Sequence, residues 1–368
     1  VKERFMDFAQ PIPFHPPPWA KDLLCMPTKY VPMASLPTSL EPWKIPVPEG
    51  INLWIKRDDK SGMGLSGNKV RKLEFLMADA LDRGCDCVVT IGGVQSNHCR
   101  ATAVAAKKLG LDSYLMLRQT DALLNDKLDP GLSGNLMISR MVGANLVMVS
   151  KSEYARFGQK VLLDNLIEQL QCQGRKPYGI AVGGSVPLGA WGYIMFVQEL
   201  QEQMEKSNVN VSDIIVACGS GGTTAGLAIG VFLAGLKIRV HAILVCDDKN
   251  YFRQHIQDTI DALGVKVNAD EIVVLHDEYR GKAYAVSTEE ELETIRQAAA
   301  ASSILTDPVY TGKALCGLQG LMRSPELLLG KDLLFLHTGG MFGIFDKEDQ
   351  LLPLLGGNIS RLQLKSSL

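Results

Sequence analysis

The stretch SGNKVRKLEF, residues 66–75, sets three cations within four positions: Lys69, Arg71 and Lys72. A helix start favours anions over cations, because its free N–H groups already carry partial positive charge. Two readings fit the crowding. A lysine that must form a Schiff base needs a neutral amine, and neighbouring cations together with the helix dipole destabilise its ammonium. Alternatively, the three side chains form a solvated helix face and do no chemistry.

A second set of residues points to anion binding. Four apolar runs end in glycine pairs: TIGGVQSN (Gly92, Gly93), IAVGGSVPLG (Gly183, Gly184), VACGSGGTTAG (Gly219, Gly221, Gly222) and LHTGGMFG (Gly339, Gly340). A single pair is ordinarily a tight strand-to-helix turn. Four of them at strand ends, where open α/β sheets bind ligands, form a pattern. In CGSGGTTAG the small residues expose successive N–H groups at a helix start, while Ser220, Thr223 and Thr224 add hydroxyls, so the loop can hold a phosphate. No lysine follows these glycines, which argues against a Walker loop, and Thr224 stands where a dinucleotide fingerprint needs its third glycine. Phosphate recognition without a nucleotide signature suggests a small phosphorylated cofactor.

The elements that must position these residues alternate regularly from residue 51 onward. Strands are expected over 52–58, 86–93, 113–118, 145–150, 178–184, 213–222, 240–247 and 332–340, and helices over 69–82, 98–109, 134–142, 153–172, 189–205 and 223–234. Such alternation indicates an α/β protein with mainly parallel sheets covered on both faces, and the count favours two sheets. Val70, Leu73, Met77, Ala80 and Leu81 follow helical spacing, which puts Lys69 at or just before a first turn. Thr288 and Glu291 fit the capping box of a scaffold helix. Residues 1–50 are proline-rich and suit an extended arm more than a packed domain.

Composition narrows the function classes. The 368 residues are 46% apolar and 21% charged with a formal net charge of -2, an ordinary globular balance that advertises no basic face for nucleic acid. The longest apolar run, AGLAIGVFLAGL at 225–236, falls short of a membrane span. None of the eight cysteines has Cys-x-x-Cys spacing, so buried thiols in a reducing compartment are expected and no metal site is read. The sequence begins at Val1, so a targeting leader would be invisible in it.

GLSGNKVRKLE, GGVQSNHCRATA, CGSGGTTAGL and DPVYTGKA, in this order and spacing, resemble the 1-aminocyclopropane-1-carboxylate (ACC) deaminase and D-cysteine desulfhydrase family. These are pyridoxal-phosphate enzymes with the tryptophan synthase β-like fold, fold type II, made of two open, twisted, mainly parallel α/β/α domains. The resemblance covers roughly residues 25–345. It implies that Lys69 is the Schiff-base lysine, that Asn97 hydrogen-bonds the cofactor's phenolic oxygen, and that Ser96 meets the substrate carboxylate or amine as a polar or acid/base group. By the same resemblance Gly219, Ser220, Gly221, Gly222, Thr223 and Thr224 cradle the phosphate, and Tyr310 lies near the pyridine ring. Tyr284 faces the substrate or is a core tyrosine.

Departures from the deaminase pattern bear on the reaction. Thr311 stands where family deaminases carry glutamate, and a hydroxyl beside the pyridine nitrogen makes a weaker electron sink than a carboxylate. Thr338 replaces an aliphatic residue, which suits a polar substrate. His98 replaces glutamine and either touches substrate or is satisfied locally. These differences favour elimination of thiolate from D-cysteine, giving pyruvate, hydrogen sulfide and ammonia, with ACC deamination as the alternative. The resemblance further implies an arm plus first part of a large cofactor-binding domain over 1–68, a small domain over 69–180 and the rest of the large domain over 181–368. It also implies a homodimer, an amino-acid substrate, and a mitochondrial location with the cytoplasm as alternative.

Overall fold

The computed structural model describes residues 10–122, 129–357 and 359–362, so residues 1–9 of the proline-rich arm lie outside it. Its strands are, in chain order, β1 (Ile12–Pro13), β2 (Lys29–Tyr30), β3 (Leu40–Pro42), β4 (Asn52–Lys56), β5 (Cys87–Gly93), β6 (Asp112–Gln119), β7 (Asn145–Ser150), β8 (Pro177–Ile180), β9 (Asp213–Cys218), β10 (Arg239–Leu244), β11 (Val274–His276) and β12 (Asp332–Leu336). One sheet has the order β7-β6-β5-β8 and is wholly parallel. A second has the order β11-β10-β9-β12-β4-β3 and is parallel except where β3 runs against β4, and β1 and β2 form a small antiparallel pair. Parallel pairing requires crossover helices that cover both faces, and the central strands accordingly read as continuous apolar runs. In β9, Asp213–Cys218, every residue is buried.

The described part of the proline-rich segment, residues 10–50, is not a free arm. Val31 and Trp43 are buried, and the Phe14 ring packs edge-on against Phe75 at 5.1 Å and Trp191 at 5.4 Å. Proline fixes an extended backbone, and the aromatic side chains between the prolines anchor that backbone along the domain surface. The thiols also divide: all eight cysteines are free, with Cys87, Cys99 and Cys218 buried but Cys25 and Cys172 exposed. Among the described residues no helix is long and apolar enough to cross a membrane.

Helix α1, Lys69–Asp82, begins where its spacing predicts, yet its polar residues are as deeply buried as its apolar stripe. Arg71 and Lys72 retain 2% and 1% exposure, which rules out a solvated face. Successive helical residues are rotated by about 100°, so Lys69 and Lys72, three apart, share one side while Arg71 turns away. Arg71 meets Asp58 through two hydrogen bonds of 2.9 Å and Glu199 through two of 3.0 Å. Lys56 bonds Glu199, and Tyr193 and Thr38 donate to Asp58 at 2.6 and 2.8 Å. Burial alone would raise the Asp58 carboxyl; the Arg71 guanidinium, with Lys56 and Tyr193, more than reverses this and holds it below its usual range. Two cations and two carboxylates thus cancel in the interior, fixing how α1 is rotated about its axis.

Candidate active site

Residues from all four glycine-ended loops meet in the cleft between the two larger sheets, around a cavity of about 280 Å³. Their backbones approach so closely that side chains would not fit. A Cβ on Gly67 would lie 2.7 Å from Thr338 O, and one on Gly339 would lie 2.7 Å from Gly67 Cα, so the lysine turn rests on the loop after β12. Asn68 N–H donates to Thr338 O at 3.1 Å, which locks the turn immediately before Lys69. A Cβ on Gly183 would strike Ser220 Oγ at 2.2 Å, so the loop after β8 packs directly on the loop after β9.

Lys69 opens helix α1 at the cavity wall and is half-buried. Burial pushes its amine down to about 8, and no nearby carboxylate contributes to that value. The dominant cause is therefore loss of hydration, since Arg71 is neutralised on the far side. Lys72 is held well below its ordinary value, by burial first and by Lys69 second. Its Nζ donates to Gly183 O at 3.1 Å and stands 2.9 Å from the Cβ position that Gly222 leaves empty. An anion in the glycine loop would thus meet a lysine that otherwise has only a carbonyl as partner.

The loop from Gly219 to Thr224 leads into the helix Gly222–Leu233. Gly221 has φ +79°, and a Cβ there would meet His255 Cδ2 at 2.4 Å; one on Gly219 would meet Tyr310 Cε1 at 2.7 Å. Ser185 Oγ donates to Ser220 Oγ at 2.8 Å and accepts from Gly222 N–H at 3.2 Å, while Asn68 Nδ2 donates to Thr223 Oγ1 at 2.9 Å. The result is a rigid, glycine-lined concavity at a helix start. Buried polar atoms in the cavity wall, Asn97 Oδ1 and His255 Nε2, have no partner among the described residues. These orphaned groups and the cradle fit a polar phosphorylated cofactor.

Helix α2, Asn97–Lys108, is capped by Ser96, whose Oγ accepts from Cys99 N–H at 3.1 Å and keeps its own hydrogen to donate. The first N–H groups of α2, on Asn97 and His98, have no intrahelical acceptor and can bind a carboxylate. His98 lines the cavity and is satisfied locally at one nitrogen only: its Nε2 lies 2.9 Å from Thr90 Oγ1, which itself donates to Ile180 O at 2.8 Å, while its buried Nδ1 has no partner among the described residues. Burial, then Lys69 and Lys72, holds this imidazole well below its ordinary value, so it is neutral. The Tyr284 and Tyr310 hydroxyls hydrogen-bond at 2.5 Å, and burial first, then Tyr284, keeps the Tyr310 phenol well above its usual value.

Of the residues expected from the sequence, Lys69, Ser96, Asn97, His98, Gly219, Ser220, Gly221, Thr223, Thr224, Tyr284, Tyr310 and Thr338 line the cavity. Gly222 stands behind it, between Ser185 and Lys72. Thr311 is not brought to the wall. Its hydroxyl donates to Asp307 Oδ1 and accepts from Asp307 N–H, both at 2.7 Å, which uses it in the turn before the helix Thr311–Arg323. Thr311 therefore has no contact with the cavity through which to weaken an electron sink, and Asp247 is the one carboxylate among the described lining residues. Residues not anticipated include Ser185, His255, Tyr251, Asp247, Arg118 and Tyr154. Ser185 follows a glycine pair that was itself a signal; the others carry none individually.

A glycine-walled anion cradle beside a dehydrated lysine, set between two parallel sheets, defines a fold and site of the kind that binds a phosphorylated aldehyde cofactor. The chain belongs to the family of pyridoxal-phosphate dependent enzymes, whose model matches residues 33–339. It is 49% identical over 365 residues to the mitochondrial bifunctional D-cysteine desulfhydrase/1-aminocyclopropane-1-carboxylate deaminase of Arabidopsis thaliana, covering 98% of this chain and 90% of that one. It is 38% identical over 311 residues to the D-cysteine desulfhydrase of Serratia proteamaculans (strain 568), covering 82% and 90%. A solved ACC deaminase homologue superposes with a TM-score of 0.77 at 37% identity, over 90% of this chain and 97% of that one. O-ureido-L-serine synthase, at a TM-score of 0.62 and 15% identity, shares the fold over 87% of this chain and 94% of that one.

Proposed function

We propose that this enzyme eliminates thiolate from D-cysteine, giving pyruvate, hydrogen sulfide and ammonia, with Lys69 carrying the pyridoxal phosphate. The observation that carries the reading is a half-buried amine lowered to about 8 beside the glycine cradle, in a chain with the similarities just described. The loop from Gly219 to Thr224, with Lys72 beneath it, would hold the phosphate, and Asn97 the phenolic oxygen. Bound there, the cofactor supplies an electron sink for Cα.

The remaining tasks fall to the protein. Lys69 Nζ, uncharged in a usable fraction near neutral pH, accepts the Cα proton. The N–H groups of Asn97 and His98 and the Ser96 hydroxyl orient the substrate carboxylate. Neutral His98, Tyr310 and Tyr284 offer hydrogen bonds without adding charge, and Tyr310 and Tyr284 wall the large-sheet side of the cleft. Thr338, at the same wall, offers a hydroxyl to a polar substrate.

ACC ring opening in the same pocket is the second reading, favoured by the bifunctional name of the Arabidopsis relative. Side-by-side assays of pyruvate from D-cysteine and 2-oxobutyrate from ACC test both; higher kcat/KM on ACC would overturn the first reading. We also read residues 69–180 as a small domain against a larger one, a homodimer as the assembly, and mitochondria as the location. The first two follow the family resemblance, and the third also the name of the Arabidopsis relative. Sedimentation and imaging of the tagged full-length protein would check the last two.

A further inference from the structure

Arg118 is the cation in the cavity wall that none of the roles above uses. It stands near the C-terminal end of β6, paired in register with Gly93 on one side and Val149 on the other. It shares a sheet face with Met116, which packs on the helix Lys151–Cys172, but beyond that helix's apolar core the Arg118 head reaches the cavity. There its guanidinium carbon lies 4.3 Å from the centroid of the Tyr154 ring. Among the described residues it makes no hydrogen bond and no ion pair. Arg118 is half-buried, whereas Arg71 and Arg100, the guanidiniums fully buried near the site, bond carboxylates or carbonyls.

The field of this unpaired charge crosses the cleft. Burial raises the Tyr284 phenol and pushes the Cys99 thiol up to about 11, and in both cases Arg118 opposes the rise. Tyr284 lies on the opposite wall. The cofactor phosphate has its seat at the glycine loop and Lys72, and the substrate α-carboxylate at the start of α2. Arg118 lines the same cavity and belongs to neither seat.

Resting on the reading above, we propose that Arg118 is a catalytic residue that binds the negative charge of the substrate's β-substituent and stabilises it as it departs. In net terms the Cα–H bond gives its proton to Lys69 Nζ and its electron pair to a new Cα=Cβ bond. The Cβ–S bond breaks at the same carbon pair, and sulfur leaves with the bonding electrons as HS⁻, beside the guanidinium. The substrate class is thus amino acids whose β-substituent is, or becomes, an anion. Ring opening of ACC releases no such anion, so Arg118 favours elimination over deamination.

The test uses the holoenzyme and the variants Arg118→Gln, Arg118→Lys and Tyr154→Leu. Removing one donor aimed at developing charge commonly costs ten- to a thousandfold, so Arg118→Gln should lower the D-cysteine-to-ACC ratio of kcat/KM by about tenfold or more. Arg118→Lys should restore part of it, and Tyr154→Leu, which frees the guanidinium from its stacking partner, should lower it by about threefold. A second readout involves no turnover: equilibrium binding of D-aspartate and D-alanine, followed by cofactor absorbance. Wild type should prefer D-aspartate by about tenfold, and Arg118→Gln should abolish that preference. An unchanged ratio or an unchanged binding preference in Arg118→Gln overturns the proposal. If wild type does not turn over D-cysteine, the underlying reading fails, and equal binding of the two ligands by wild type would then overturn the Arg118 role separately.

Discussion

On one side of helix α1, Arg71 is enclosed by Asp58 and Glu199, with Lys56, Tyr193 and Thr38 completing a network whose charges cancel. On the other, Lys69 and Lys72 are held near the cavity with no carboxylate partner among the described residues. The same short helix therefore treats buried positive charge in two ways. Where the cation is structural, the fold supplies its counter-ions, because breaking a buried pair leaves an uncompensated charge. Where the cation is functional, the counter-ion is left for a ligand, and the amine meanwhile sheds its proton more easily.

Substitutions on the two sides should separate these uses. Lys69→Ala should lower elimination by about a thousandfold or more and abolish borohydride-stable attachment of the cofactor, as measured by pyruvate release and peptide mapping. If the label instead appears at another lysine, the site assignment is wrong. Arg71→Met should cost about 3–5 kcal/mol of folding stability in urea titrations, since Asp58 and Glu199 lose their partner. Lys72→Met should leave stability about equal, because it removes a buried amine held by a single carbonyl and no carboxylate among the described residues, yet weaken cofactor retention by about tenfold in dialysis measurements. If Arg71→Met and Lys72→Met destabilise equally, the contrast between the faces disappears.

Acidity sharpens the same comparison. Lys69 titrates near 8 in the folded chain rather than at its ordinary 10.5. Recapture of pyridoxal phosphate by the apo protein should rise with pH and level off above about 8; a plateau only above 10 would show an ordinary lysine. Because the folded value lies below the unfolded one, this amine costs stability below about pH 8, and the cost fades between 8 and 10.5. Asp58 behaves oppositely: its lowered carboxyl adds stability above its ordinary value of 3.8, lost as pH falls through the lower folded value. The smallest expected effect is that of Tyr284→Phe, which removes one hydroxyl from a tyrosine pair and should lower kcat about two- to fivefold.

The parts that repeat local rules were legible in the residues themselves. Helix α1 begins at Lys69 as its spacing predicts, β7 spans Asn145–Ser150 as its apolar run does, and Thr288 with Glu291 forms the capping box. The glycine pairs pointed to loops that do converge, because close backbone approach is a property glycine alone permits. What could not be read were partnerships across the chain. Glu199 lies 128 residues from Arg71, and nothing near either one announces the other. The aromatic anchors of the proline-rich segment, and the turn in which Thr311 spends its hydroxyl on Asp307, likewise depend on tertiary approach. Arg118 left one faint trace: a lone cation near the C-terminal end of an apolar strand, where such sheets bind ligands.

The position of β12 carries a consequence for biosynthesis. It is the last of the described strands, yet it lies between β9 and β4 in the middle of the six-stranded sheet, and the loop that follows it supports the turn before Lys69. A nascent polypeptide still lacking residues 332–340 therefore has neither a continuous large sheet nor a seated lysine turn. Vitamin loading must therefore await synthesis of this strand and its loop, and ribosome-stalled chains ending before Asp332 should remain colourless in excess pyridoxal phosphate.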